Sequence, residues 1–257
     1  MVKMIATDLD GTLLTSDKKI TAGTRRIFNE CREQGIRIVF ATARPWRAVR
    51  PYLQDIACDG VIFHNGSTVM ADHAHLGTSY QIPVDRVQEI VARLIQDYPE
   101  KKISVEMNDT LYANFDVSYY WSYTDGITTD FSDLPPGAAD KVIAEIDSEK
   151  EFSQIREILS ENEYGQICEG QLCLMMHKSA SKLNGIRSLC QHWGITLKDV
   201  IAFGDDHNDL EMIRECGLGI AMANGIHSVR EVADYVADHN DREGVAQWIQ
   251  RYSIMAR

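Results

Sequence analysis

Short runs of consecutive apolar residues alternate, over the first eighty residues, with longer stretches whose apolar positions recur every three or four residues. The run Met4–Thr7 is too short for a helix and reads as a buried strand. A helical stretch begins near Thr21 and stops at Gly35, a helix-ending signal. Strand Ile36–Ala41, a helix over about 45–56 and strand Val61–Phe63 follow, so the pattern is β-α-β-α-β. Strands that alternate with helices imply an α/β fold with a parallel sheet covered on both faces. Residues 83–179 have a different texture. Ile103–Met107 and Leu111–Ala113 flank the turn pair Asn108-Asp109 and predict an antiparallel hairpin. Helices over 84–98 and 152–159 flank it, and the whole reads as an α+β insert. The parallel pattern returns after Ser181 with a helix to Trp193, strand Val200–Phe203, a helix to Gly217, strand Leu218–Met222, a short strand Tyr235–Ala237 and a terminal helix.

Composition narrows the function classes. The 257 residues are 44% hydrophobic, enough for a sizeable core. With 26 basic against 38 acidic residues the net charge is −12, which disfavours nucleic acid and anionic membrane surfaces as partners. An anionic substrate would need local positive charge, supplied by a bound divalent cation, Lys182, Arg44 and helix N-termini. The six cysteines are scattered without metal-site spacing and are expected to be reduced thiols. Met1-Val2-Lys3 leads directly into the first strand, and no apolar run reaches the roughly 18 residues of a membrane span, so a cytoplasmic location is expected.

Chemistry gathers at strand ends. Asp8 closes the first strand and Asp10 begins a glycine-containing loop; open α/β sheets bind ligands at the carboxyl ends of their strands. Two carboxylates so close repel unless a cation or proton lies between them. Val200–Phe203 leads in the same way into Gly204-Asp205-Asp206-His207-Asn208-Asp209. Strand Ile36–Ala41 ends at Thr42-Ala43-Arg44, and Ser181-Lys182 precedes an amphipathic stretch. Carboxylates for a hard metal, a hydroxyl and a lysine are the inventory of phosphoryl transfer.

These residues resemble the haloacid dehalogenase-like phosphohydrolases, specifically the Cof-type sugar-phosphatase branch with a large cap. All four family motifs are present in order: Asp8-Leu9-Asp10-Gly11-Thr12, then Thr42 in Ala41-Thr42-Ala43-Arg44, then Lys182, then Gly204–Asp209. Asn65-Gly66, Gly219–Asn224 and Asn240–Val245 extend the match over the whole chain. Two positions depart from the pattern, Ala43 and Leu183, where members usually have glycine. Neither removes a catalytic group, but Ala43 narrows the space beside the substrate. The resemblance implies a Rossmann-like, doubly wound core over 1–80 and 181–257, with a substrate-selecting α+β cap over 83–179 closing over the active site.

It also implies roles. Asp8 is expected to be the nucleophile, forming an aspartyl-phosphate, or else a metal ligand only, with water attacking directly. Asp10 is expected to be general acid and base, the feature that separates phosphatases from dehalogenases. Thr42 would donate to phosphoryl oxygens, or merely cap its strand; Lys182 would neutralise charge on Asp8 and the transferring group, or be a surface helix lysine. Mg²⁺ is expected on carboxylates of Asp8 and Asp205 and the main-chain carbonyl of Asp10. Asn208 is expected to reach the phosphate, and Asp209 to orient Lys182 or a metal-bound water. Asp206 supports the site or is a helix N-cap. Ala43, Arg44 and Asn65 are candidate substrate contacts. Tyr119, Tyr120, Trp121 and Tyr123 read as core rather than a sugar pocket, and His73 and His75 as solvated. The expected function is Mg²⁺-dependent hydrolysis of a small phosphorylated metabolite by a monomer or homodimer. A phosphomutase and a phospho-aspartate receiver-like module are the alternatives.

Overall fold

The computed structural model describes residues 2–76, 80–119, 126–168 and 171–252. Tyr120, Trp121 and Tyr123 lie outside the described residues, as does the side chain of Tyr119. The chain divides into two compact units, Met1–Ser79 with Ser181–Arg257, and Tyr80–Ala180.

The first unit is built on an eight-stranded sheet. Its strands are β1 (Met4–Thr7), β2 (Arg37–Ala41), β3 (Gly60–Phe63), β4 (Thr68–Ala71), β5 (Ala74–His75), β14 (Val200–Gly204), β15 (Leu218–Met222) and β16 (Tyr235–Ala237). They lie in the order β16-β15-β14-β1-β2-β3-β4-β5. The six strands from β16 to β3 are parallel, while β4 and β5 add an antiparallel hairpin at one edge. That edge hairpin is a departure from the purely parallel sheet expected. It turns at Asp72 and His73, both at positive φ, and leaves His75 exposed on its edge strand.

Side-chain alternation along the central strands explains why helices cover both faces. Ile5, Ile38, Phe40, Ile201 and Phe203 pack on one face with Ile27 and Phe28 of α1 (Ala22–Glu33) and Val245 and Trp248 of α8 (Gly244–Arg251). Met4, Ala6, Val39, Val200 and Ala202 point to the other, against Leu183, Ile186 and Leu189 of α5 (Lys182–Trp193) and Met212 and Ile213 of α6 (Leu210–Glu215). A strand buried on both faces must be apolar throughout, so these strands read as continuous runs. Near one edge lies α7 (His227–Val232). Local signals set the ends of α5: Ser181 caps the first turn by accepting from the Asn184 N–H, and Gly194 ends it in the left-handed conformation.

The helix expected over 45–56 is broken. A single turn, α2 (Trp46–Val49), passes into a 3-10 stretch, Arg50–Gln54. Pro51 is the cause, because it lacks an N–H for the carbonyl four residues back and its ring crowds that carbonyl.

The second unit has a six-stranded sheet of β7 (Ile103–Met107), β8 (Thr110–Ala113), β9 (Gly126–Thr128), β11 (Lys141–Glu145), β12 (Glu163–Cys168) and β13 (Leu172–His177). The order is β12-β13-β11-β7-β8-β9, antiparallel except between β8 and β9. Two further short strands, β6 (Ile82–Pro83) and β10 (Ala138–Ala139), pair with each other. Asn108 and Asp109 both take positive φ, as a two-residue hairpin turn between β7 and β8 requires. Val87, Ile90, Val91 and Leu94 on α3 (Val84–Asp97) recur at helical spacing and cover one face of the sheet. The second helix, α4 (Glu149–Arg156), starts three residues before the expected 152. Its start was legible: Ser148 accepts from the Glu151 N–H, and Glu151 in turn accepts from the Asp147 N–H at 2.7 Å.

All six cysteines are unpaired, and no helix among the described residues is long and apolar enough to cross a membrane. Phe203 is fully buried and meets the Trp248 ring edge-on at 5.6 Å. Phe203→Ala is expected to destabilise this unit by about 3–5 kcal/mol, read as a lower urea midpoint; an unshifted midpoint would contradict this packing.

Candidate active site

The carboxyl ends of β1, β2 and β14 lie side by side, because β1 pairs in parallel with both of the others. Each chain segment leaving those ends delivers polar side chains to one place. Asp8 is extended (φ −65°, ψ 164°), and its N–H donates to the Phe203 carbonyl at 3.0 Å, which keeps it in register with β14. Beyond it the backbone turns at Gly11, with φ +77°. Glycine is required there twice over: the conformation is left-handed, and a Cβ would overlap the carboxylate of Asp205. The loop holds its shape through Asn224, whose Nδ2 donates to the Gly11 carbonyl at 2.7 Å.

Lys182 organises the centre. It is the first residue of α5 and is 1% exposed, so it is not a surface lysine. Its Nζ donates to Asp8 Oδ1 and to Asp209 Oδ1, both at 2.7 Å. Asp209 spends its other oxygen on the N–H groups of Asp205 (2.9 Å) and Asp206 (3.1 Å). Asp206 faces outward and caps the short 3-10 turn His207–Asp209, accepting from the His207 N–H at 2.7 Å. Asp205 Oδ1 accepts from the Thr12 hydroxyl at 2.7 Å.

The other candidates form a second layer. Thr42 is buried, and its hydroxyl accepts from the Arg44 N–H at 3.1 Å while its carbonyl accepts from the Asn65 N–H at 2.9 Å. Ala43 occupies the bend between them, half-buried. Asn65 Oδ1 accepts from Asn208 Nδ2 at 2.9 Å, so these two amides sit together. The turn carrying Asn65 approaches the start of α5 so closely that a Cβ on Gly66 would overlap the Ser181 carbonyl. Asp10 does not join Asp8. Its carboxylate is gripped by Arg44, Nε to Oδ2 at 2.5 Å and Nη2 to Oδ1 at 2.7 Å, and by Lys18 Nζ at 2.6 Å. Thr12, Lys18 and Asn224 were not singled out by sequence reasoning. Thr12 and Asn224 had a signal, their places in the Asp8–Thr12 and Gly219–Asn224 segments; Lys18 had none of its own.

The electrostatics divide the acids. Burial pushes the Asp8 carboxyl well above its usual range; Lys182 pulls it down, and Asp209 and Asp205 push it up again. Asp205 is raised to about 6, chiefly by burial, partly offset by the Thr12 hydrogen bond and reinforced by Asp209. For Asp10 burial acts upward too, but the hydrogen bonds and charges of Arg44 and Lys18 prevail and lower it to about 2. Burial alone would lower Lys182, yet its two carboxylate partners raise it, so it is a permanent cation.

Asp8, Asp205 and Asp209 bring carboxylate oxygens within 4.8 Å of one another. Three carboxylates, two of them buried and one half-buried, face one ammonium, an imbalance that a divalent cation with a preference for oxygen would correct. Asp209 is committed to Lys182 and two amides, which leaves Asp8 and Asp205 as the better ligands and Asp209 as the group that orients them. A surface groove of about 580 Å³ lined by Asn29, Arg32, Arg37 and Asp59 lies instead near the amino ends of β2 and β3, away from where such sheets bind ligands.

Comparison with known proteins points to one family. A family described as haloacid dehalogenase-like hydrolase matches residues 5–249. The chain is 28% identical over 262 residues to the 5-amino-6-(5-phospho-D-ribitylamino)uracil phosphatase YitU of Bacillus subtilis, covering 97% of each chain. It is 30% identical to the putative phosphatase YxeH of the same organism, again over 97% of each. A haloacid dehalogenase-like hydrolase from Bacteroides thetaiotaomicron shares the fold with a TM-score of 0.86 at 24% identity, covering 98% of this chain and 100% of that one.

Protons and metal compete for the same carboxylates. Without metal Asp205 keeps a proton up to about pH 6, so divalent-metal affinity is expected to rise as pH increases toward 6 and to level off above it, with proton release on binding below that point. The metal-free fold binds that proton more tightly than the unfolded chain, so stability is lost as pH rises from about 4 through about 6. Calorimetric titration with Mg²⁺ or Mn²⁺ between pH 5 and 7 checks this; a flat profile would remove Asp205 from the metal site.

Proposed function

The chain belongs to the haloacid dehalogenase-like hydrolases, and from that premise we propose that it is a Mg²⁺-dependent phosphohydrolase that cleaves small phosphate monoesters, sugar phosphates or similar, through an aspartyl-phosphate on Asp8. The observation that carries this reading is the buried Lys182 ammonium set 2.7 Å from both Asp8 and Asp209 at the carboxyl ends of the core strands.

Asp8 supplies the nucleophile. Lys182 aims its carboxylate and favours the ionised form, offsetting part of the upward shift that burial imposes. One Asp8 oxygen forms a bond to phosphorus while the bond from phosphorus to the ester oxygen breaks. Charge accumulating on the phosphoryl oxygens meets Lys182 and the hydroxyl of Thr42, with the Asn208 and Asn65 amides beside them. Mg²⁺, held by Asp8 and Asp205, would supply charge neutralisation when bound. Asp10 carries the proton: it protonates the departing oxygen, then takes a proton from the water that hydrolyses the aspartyl-phosphate. For that step Asp10 must be released from Arg44 and Lys18, which otherwise hold it ionised, and take up a proton from solvent. The substrate is a small phosphorylated metabolite, in keeping with the 5-phospho-D-ribityl group in the name of the YitU relative. Six unpaired thiols fit a reducing compartment such as the cytoplasm.

Phosphate release from a panel of sugar phosphates, nucleotides and p-nitrophenyl phosphate tests the reading. Asp8→Asn is expected to abolish turnover, and EDTA to silence the protein until Mg²⁺ is restored. Asp10→Asn should lower kcat by about 10²- to 10⁴-fold and slow breakdown of the covalent intermediate as well as its formation. Full activity of Asp8→Asn would sink the nucleophile assignment, and phosphate returned to the organic substrate rather than to water would identify a mutase instead.

A further inference from the structure

The turn beyond Gly11 is built to present a lysine. Lys18 sits at φ +58°, in the left-handed region that costs a residue with a Cβ. Its N–H donates to the Thr15 carbonyl at 2.8 Å, and the Thr15 N–H to the Lys19 carbonyl at 3.1 Å. Ser16 donates from both N–H and Oγ to Asp241, at 2.6 and 2.8 Å. Asn240 Nδ2 donates to the Leu14 carbonyl at 2.8 Å. The turn is therefore tied to the C-terminal segment at two points, a rigid mount for one exposed side chain.

From that mount Lys18 Nζ reaches Asp10 Oδ1, the same oxygen that accepts from Arg44 Nη2. Two cations meet on one carboxylate. Each is drawn to Asp10 and repelled by the other, so displacement of Asp10 leaves two positive groups converging on a vacated anion position. Lys182 cannot serve there, being buried between Asp8 and Asp209. Lys18 and Arg44 are respectively about half and one-fifth exposed, so an arriving solute reaches both. A phosphate dianion binds guanidinium and ammonium groups more strongly than a carboxylate does.

We propose that Lys18 and Arg44 form a cation pair that Asp10 fills in the resting protein and that an oxyanion of the ester takes over, freeing Asp10 for proton transfer; the inference rests on the phosphohydrolase reading of Asp8. Lys18 is thereby a positioning residue for Asp10 and a binding residue for substrate. The oxyanion is either the phosphoryl group being transferred or a second phosphate or carboxylate on the leaving group.

Lys18→Gln and Lys18→Arg in the full chain separate these sources. Inorganic phosphate is titrated by calorimetry in the presence of Mg²⁺, and kcat/KM is compared for phosphoglycolate and ethyl phosphate. If the transferred group is the ligand, Lys18→Gln weakens phosphate binding about tenfold, the worth of one charge-assisted hydrogen bond. If the leaving group is, kcat/KM falls about tenfold more for phosphoglycolate than for ethyl phosphate. In either case Lys18→Arg restores most of the loss, as a merely structural role for the turn would not. Unchanged phosphate affinity together with an unchanged ratio of the two kcat/KM values overturns the cation pair. Lys18-dependent phosphate binding without phosphate release from any ester would support the anion site and sink the phosphohydrolase reading.

Discussion

A lysine ammonium with no exposure to water holds the first unit's chemistry together. Lys182 must have carboxylate partners at contact distance, because a buried ammonium left alone costs several kcal/mol. Asp8 and Asp209 meet that demand, and meeting it fixes where β1, α5 and the loop after β14 can lie relative to one another. The close approach of Gly66 to Ser181 and the Ser181 cap set the first turn of α5, so that its first residue points into the cluster. Stability and chemistry share the same few ångströms.

Charge is graded outward from that point. Lys182 lies innermost, fully enclosed; Arg44 is partly enclosed; Lys18 is half in solvent. The acids follow the same order. Asp8 and Asp205 are raised by burial and mutual repulsion, while Asp10, farther out among two cations, is lowered. Neighbouring carboxylates thus acquire different proton affinities from their surroundings alone, and the two cations on Asp10 must withdraw before it can carry a proton. In a protein with a net charge of −12, this local column of cations is what offers an anionic ester a favourable approach.

The central strands show how local pattern and tertiary demand coincide. Val200–Gly204 is buried at every position, because helices cover both faces, and an uninterrupted apolar run is the only sequence that tolerates this. The same run ends where the sheet ends, so polarity returns abruptly as Asp205. The abrupt change from apolar run to acid is visible in the sequence because it is a property of consecutive residues. At Pro51, just beyond α2, and at Ser148, before α4, a local rule outweighs the apolar spacing, and the helix breaks or starts where that rule requires.

By itself the sequence determined most element types, the α/β class, and the identity of the strand-end residues Asp8, Thr42 and Asp205 and of the helix-start residue Lys182, since these follow from periodicity, from turn chemistry and from the order of motifs that it carries. Only the tertiary structure decided which way those side chains face. Asp10 lies two residues from Asp8 yet belongs to Arg44 and Lys18; Asp209 joins Lys182 and turns its second oxygen to the backbone. Thr12 finds Asp205, and Asn224 finds Gly11, across 193 and 213 residues of chain. Such pairings depend on the paths of loops brought together by a sheet whose strand order is not the chain order, and no spacing along the chain encodes them.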